Sequence, residues 1–275
     1  MDLKVFGRTG RKISSIGMGT YYDPAWIATA FLGWRRGTRT KIEAIKTGLG
    51  VGMTLIDTAE IYQSEPLVAK AIQDWKREDL FIATKVWSNH LRRDDLFRSL
   101  DRSLRRLGVR YVDLYQVHFP NPRVPIAETM GAMEELVSQG KIASIGVSNF
   151  SFQQTQEANA ALRKSQLASV QVRYSLMDRA IESAILPYCD KEGIGVLAYY
   201  PLGHGKLIRD SRLDESAKRY GKSRAQISLN WLASKPSVFP IPRASSESHV
   251  KENRGAAGWG IDPEDIGKLD SAFGL

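Results

Sequence analysis

The sequence predicts a (β/α)₈ barrel preceded by a β-hairpin. Three observations lead there. Short runs rich in β-branched and aromatic residues alternate with helix-period patterns along all 275 residues. Eight such runs recur at about 32 residues each, the size of one βα unit. No shift in composition marks a boundary, so residues 1–275 are expected to form one unit. The length alone would also admit two smaller domains, yet it suits a single barrel.

The elements follow in order. Residues 4–6 and 12–14, around Arg8-Thr9-Gly10-Arg11, read as a hairpin placed to cap the barrel's bottom. Strands are expected at 15–21, 54–59, 80–86, 112–119, 144–149, 168–174, 195–200 and 238–242. Between the second and third, Ser64-Glu65-Pro66 starts a helix over 67–75. After the third, residues 94–107 put Leu96, Leu100, Leu104 and Leu107 on one face, with Arg98, Arg102 and Arg105 elsewhere, and Gly108 ends the run. Pro125 opens a helix over 126–138 with a stripe of Met130, Met133 and Val137, closed by Gly140. The segment 22–39, with Trp26, Phe31, Trp34, Arg35 and Arg36, suggests a short helix over a pocket. The competing architecture, an open doubly wound sheet, lacks its Gly-x-Gly-x-x-Gly turn. Gly48-Leu49-Gly50-Val51-Gly52 has the wrong spacing, and Gly221-Lys222-Ser223 has Ser216 where a phosphate loop needs glycine.

Composition narrows the function. Charged residues are 25% of the chain and no apolar run reaches membrane-spanning length, so a globular protein without a membrane span is expected. The first twelve residues carry charge and no apolar stretch, which reads as no secretory signal. The single Cys189 makes no internal disulfide, and no paired cysteines offer a zinc site, so a reducing, cytoplasmic setting and no metal are expected. The net charge is +9. Its densest clusters, Arg35-Arg36, Arg92-Arg93 and Arg102 to Arg110, are not interleaved with aromatics as a base-stacking surface would be. Nucleic acid is therefore not expected as a partner.

Barrel chemistry sits at the C-terminal ends of strands. There the sequence places Asp57, Lys85, His118, Ser148-Asn149 and Gln171, with Tyr62 just beyond the second barrel strand. A phenol titrates near ~10, too high for an efficient acid at neutral pH. Lys85 would lower it, and Asp57 would hold Lys85 charged. His118 could orient a carbonyl oxygen. This set donates a proton to a polarised carbonyl and has no nucleophile paired with a base. It needs a hydride, which no side chain supplies and a nicotinamide does. Another barrel chemistry, a Schiff base on Lys85, remains open at this point.

These residues resemble the aldo-keto reductases along nearly the whole chain. The resemblance is carried by Asp57-Thr58-Ala59-x-x-Tyr62, by Ala83-Thr84-Lys85-Val86-Trp87, and by Leu107 to Tyr115 followed by His118. Ile145 to Phe150, and Ile241-Pro242-Arg243-Ala244-Ser245-Ser246 with His249, Glu252 and Asn253, complete it. It implies NADPH-dependent reduction of aldehydes or ketones, reversible to alcohol oxidation, or a cofactor-binding regulatory subunit of the same fold. Tyr62 would be the acid, tuned by Lys85 and Asp57, with His118 on the carbonyl. Gly19, Thr20 and Asp57 would lie at the cofactor. Ser148, Asn149 and Gln171 would hold the carboxamide, and Tyr199 would stack on the ring. Leu202, Gly203 and Gly205 would follow the pyrophosphate. Arg243, Ser245, Ser246 and His249 would take the 2′-phosphate and ribose, and Glu252 and Asn253 the adenine. Tyr21, Tyr22, Trp26, Trp87, His118, Phe119 and Phe150 would line the pocket for a small carbonyl substrate.

Three departures from the family pattern matter. Arg243 stands for a common lysine and can bind phosphate as well. His249 stands for an arginine, and this departure opens the way to NADH as well as NADPH. Phe119 stands for a frequent tryptophan. The short stretch after Leu269 implies an open pocket. A monomer or weak oligomer is expected.

Overall fold

The computed structural model describes residues 1–243 and 245–274. A two-stranded antiparallel hairpin, β1 (Leu3–Val5) and β2 (Lys12–Ser14), comes first. Eight parallel strands follow in sequence order: β3 (Met18–Gly19), β4 (Leu55–Asp57), β5 (Phe81–Val86), β6 (Val112–Val117), β7 (Ile142–Ser148), β8 (Leu167–Arg173), β9 (Gly195–Tyr199) and β10 (Val238–Pro240). After β3 come α1 (Pro24–Phe31) and α2 (Thr38–Gly50), after β4 α3 (Glu65–Ala71), and after β5 α4 (Arg93–Leu107). Then come α5 (Ile126–Ser138), α6 (Phe152–Ala161) and α7 (Ile185–Glu192), one after each of the next three strands. The chain adds α8 (Asp214–Tyr220) and α9 (Arg224–Ala233) before β10, then α10 (Glu247–Arg254) and α11 (Pro263–Ala272).

The ends of the sheet meet. Gly17 donates its N–H to Pro240 O and Gly19 donates to Pro242 O, both at 2.9 Å, and Gly19 bridges Arg243 in parallel. Only glycine fits this seam, because a Cβ at Gly17 would lie 2.6 Å from the Leu55 side chain and one at Gly19 would lie 2.8 Å from Ile241 O. The first barrel strand is two residues long, much shorter than the expected 15–21. The helix expected at 67–75 starts earlier and ends at Ala71.

Two layers of core result from the period-two alternation of side chains. Ile56, Ile82 and Tyr115 point outward to the helices, while Leu55, Phe81, Ala83, Leu114 and Leu197 point inward. The lower barrel is closed by the hairpin. Phe6, directly after β1, is wholly buried, with ring centroids 4.9 Å from Phe81 and 5.1 Å from Phe239. Arg11 binds the buried Asp113, which also accepts Arg77 Nη2 at 2.6 Å and Ile82 N at 2.8 Å. Lys4 donates to Ala233, Lys235 and Val238 carbonyls at 2.6–3.0 Å. The hairpin is thus the plug that the sequence suggests. The same inward alternation, carried upward, places Asp57, Lys85, Gln116 and Gln171 inside the top half.

Phe6→Ala should lower unfolding free energy by about 3–5 kcal/mol, the usual cost of removing a buried phenylalanine. Urea denaturation would read this, and a loss below about 1 kcal/mol would show that the hairpin is not part of the barrel core.

Candidate active site

Four strand ends bring together the polar residues that the sequence singles out. Lys85, in β5, is fully buried and donates to Asp57 Oδ1 at 2.8 Å, Asp57 Oδ2 at 2.7 Å and Thr58 O at 2.8 Å. An ammonium has three donors, and all three are taken. Asp57 Oδ1 also accepts Gln171 Nε2 at 2.8 Å from β8, across the barrel. Tyr62 sits in the single 3₁₀ turn Glu60–Tyr62 that follows β4. Its ring covers Lys85, with Nζ 4.8 Å from the centroid, and its hydroxyl lies 3.3 Å from His118 Nε2.

The electrostatics differ from the expected tuning. Burial raises the Tyr62 phenol well above its ordinary value, and the Asp57 charge raises it further. Lys85 gives its protons to Asp57 and Thr58, not to the phenol oxygen. Burial also lowers Lys85, against the opposing pull of Asp57. His118 falls to about 2, first through burial and then through the Lys85 charge. At neutral pH the site therefore presents a protonated phenol and a neutral imidazole side by side.

Around this pair lies an aromatic wall. Tyr21 meets Tyr62 at 5.2 Å between centroids, Trp87 meets His118 at 5.2 Å, and Phe119 stacks on His118 at 5.1 Å. Phe150 is buried in the outer core layer. Tyr22 and Trp26 are elsewhere: they pack on each other at 5.1 Å and form a satellite core with Ala30 and Leu67. The cause is α1, which Asp23 caps by accepting Trp26 N at 2.7 Å, turning the tryptophan down onto α3. The helix expected in 22–39 exists, but its buried face meets Leu67, and Phe31, Leu32 and Trp34 are exposed.

Two wall residues escape the sequence reading. Tyr200 follows β9 with a left-handed φ of 50° and lies 6.4 Å from Tyr21 between centroids. Its signal was its place one residue past a strand end. Glu60 is buried and accepts from Trp87 N and Ser99 Oγ, with His90 Nδ1 at 3.0 Å, so it anchors the backbone of the Trp87 wall. It lies between two motif residues and looks like spacer in the sequence.

The residues expected at the cofactor lie at or after the ends of β3, β4, β7, β8, β9 and β10. Asn149 donates to His118 O at 2.9 Å and to Ser148 Oγ at 3.0 Å, and accepts the Tyr199 hydroxyl at 2.7 Å. Thr20 is wholly buried, and its hydroxyl is spent on Asp57 O and Ser64 Oγ, both at 2.9 Å, while Gly19 serves the seam. Leu202 precedes three residues with positive φ, Gly203 (56°), His204 (55°) and Gly205 (83°), an open backbone turn. Arg243 is exposed and donates to Tyr22 O at 2.5 Å. Ser246 caps α10 by accepting His249 N, and Ser245 Oγ lies 3.3 Å from His249 Nδ1. Glu252 accepts Ser223 Oγ at 2.9 Å, and Asn253 Nδ2 reaches Arg243 O at 3.5 Å. A hydroxyl-rich helix start beside an arginine that has no carboxylate partner among the described residues suits a phosphate. The half-exposed Tyr199 ring and the glycine turn suit the rest of a dinucleotide. Among the described residues no group of three His, Cys, Asp or Glu side chains could hold a metal ion.

Known proteins resemble this chain along nearly its whole length. The sequence model of the Aldo/keto reductase family matches residues 16–273. Aldo-keto reductase YhdN of Bacillus subtilis (strain 168) is 33% identical, over 96% of this chain and 91% of its own. Methylglyoxal reductase YeaE of Escherichia coli (strain K12) is also 33% identical, over 95% and 91%. The solved thermostable aldo-keto reductase Tm1743, in complex with epalrestat, superposes with a TM-score of 0.87 at 41% identity, covering 98% and 99%. An aldo-keto reductase from Klebsiella pneumoniae in complex with NADPH gives 0.87 at 32% identity, covering 99% and 96%.

The His118 shift fixes a stability trend. The unfolded chain takes up a proton near ~6.5 that the folded imidazole refuses until about 2, so the histidine's contribution is lost progressively as pH falls below about 6.5. His118→Asn should flatten that part of the stability–pH curve, and ¹⁵N spectra should show a neutral His118 ring at pH 5. A ring that titrates near pH 6 would contradict the burial. Asp57→Asn should cost about 3–5 kcal/mol, because it leaves the Lys85 ammonium buried without its anion; chemical denaturation would measure the loss.

Proposed function

The chain belongs to the aldo/keto reductase family, and on that premise we propose that it reduces small aldehydes and activated ketones with NADPH, 2-oxoaldehydes foremost. The observation that carries the reading is the Tyr62–His118 pair, 3.3 Å apart over the buried Lys85–Asp57 pair. When bound, the nicotinamide supplies the hydride. The protein's own groups do the rest.

Tyr62 holds the proton to be given, at its phenol oxygen. The upward shift of the phenol keeps that proton in place at all physiological pH. The neutral His118, in the tautomer that carries its proton on Nε2, would donate to the same carbonyl oxygen and fix its direction. As the proton leaves Tyr62, negative charge grows on a ring that lies on the buried Lys85 ammonium. That cation is already in position, so little reorganisation is needed at the moment of transfer. Tyr21, Trp87, Phe119 and Tyr200 exclude water and favour a compact substrate with an apolar flank. Ser148, Asn149 and Gln171 would hold the carboxamide. Gln171 has one amide proton on Asp57, which leaves its carbonyl oxygen and second N–H to do so.

The other chemistries are less well supported. Schiff-base formation needs a free lone pair on Lys85, and all of its protons are engaged. No relative or site feature favours a regulatory subunit. The relatives named as methylglyoxal and glyoxal reductases support a small dicarbonyl as substrate. On this reading residues 1–275 act as one unit on small molecules in the cytoplasm, without nucleic acid or membrane, as a monomer or weak oligomer.

Tyr62→Phe should keep NADP⁺ binding and lose at least about 10²-fold in turnover of methylglyoxal, the lower end of general-acid contributions. Loss of NADPH absorbance reads the outcome, and near-native turnover would remove Tyr62 from the chemistry. Alcohol oxidation requires the ionised phenol, so its rate should climb with pH through the alkaline range, while reduction should stay flat between pH 6 and 8. A reduction rate that halves across that window, in pH jumps at saturating cofactor, would contradict the assignment.

A further inference from the structure

The segment 22–41 carries a cation with no role in the motifs. Lys41, in the first turn of α2, folds back so that Nζ lies 5.0 Å from the Tyr22 ring centroid and 5.5 Å from that of Trp26. Its hydrogen bond goes to a neutral acceptor, Arg36 O, at 3.1 Å. No ion pair to Lys41 occurs among the described residues. Asp23 faces it, but that carboxylate caps α1 by accepting Trp26 N at 2.7 Å. Arg243 reaches the same residue from the other side of the barrel seam, with Nη1 2.5 Å from Tyr22 O. Tyr22 thus brings a lysine from α2 and an arginine from beyond β10 to one place. Burial lowers the Lys41 ammonium, Asp23 opposes this, and the Arg243 charge lowers it further. Among the described residues each cation donates only to a backbone carbonyl, so an anion between the two would be stabilised by both.

We propose that Lys41 is a specificity-determining residue for the 2′-phosphate of NADPH, acting with Arg243 across Tyr22. This rests on the reductase reading above. It also answers the departure at His249, where the family pattern has an arginine: the missing positive charge comes from α2 instead. The burial of Tyr22 and Trp26 gains a purpose here, because their faces hold the ammonium in place while its charge stays available.

Direct binding by isothermal titration tests it, with NADP⁺, NAD⁺ and 2′,5′-ADP as probes. Lys41→Met keeps the aliphatic stem over the two rings and removes the charge. It should weaken NADP⁺ and 2′,5′-ADP about three- to tenfold, the size of one charge-assisted contact, and leave NAD⁺ within twofold. Lys41→Arg should restore most of the loss. Raising salt should weaken NADP⁺ binding more in the wild type than in Lys41→Met. Equal weakening of NADP⁺ and NAD⁺ would mean that Lys41 serves the fold or the pyrophosphate, and would overturn the proposal, as would no change in either. A wild-type protein that binds neither dinucleotide would instead overturn the reductase reading itself.

Discussion

A fully buried ammonium constrains the upper half of this molecule. Lys85 has no exposure, and an unpaired charge there would cost several kcal/mol. The fold meets that cost with both oxygens of Asp57 and the carbonyl of Thr58. To do so, β4 and β5 must pair in a register that sets Asp57 opposite Ala83. β8 is drawn in as well, because Gln171 completes the shell of Asp57 from across the barrel. The turn after β4 then sets the Tyr62 ring over the lysine.

The consequences run into the chemistry. A charged pair beneath an aromatic ring, closed in by more aromatics, is a low-dielectric pocket. Such a pocket keeps a phenol protonated and an imidazole neutral, and both are the forms that a carbonyl oxygen requires. The lower barrel is built on a different principle. There Phe6 and the apolar strand residues fill the interior, and the buried Asp113 ties the hairpin's Arg11 to Arg77 and to β5. Stability sits at the bottom and reactivity at the top, as in other barrels of this kind.

Much of this was legible in the sequence. Parallel strands covered on both sides read as short apolar runs, and all eight were found within a few residues. The strand expected at 15–21 pairs only at Met18–Gly19, although Ile16, Met18 and the tyrosines look like strand. Asp57, Lys85, His118, Asn149 and Gln171 were legible because strand ends share one rim. Tyr22 and Trp26 were misplaced, since nothing local says which way α1 turns its apolar face. Glu60 and Tyr200 were passed over for a similar reason: each matters through a partner far away in the chain, Ser99 for one and Tyr21 for the other.

The sequence by itself determined the architecture, the family and which polar residues lie at the strand ends. Period, spacing and residue type are local properties, and a strand end is recognisable from its own neighbours. The tertiary structure decided the electrostatic state of those residues and the company they keep. Lys85 was expected to lower the Tyr62 phenol, a matter of type and proximity. Its three protons point elsewhere, and burial governs instead. Lys41 and Arg243 are about two hundred positions apart, and only the closing of the barrel brings them to the same tyrosine. Direction and desolvation are three-dimensional quantities, and no pattern along the chain encodes them.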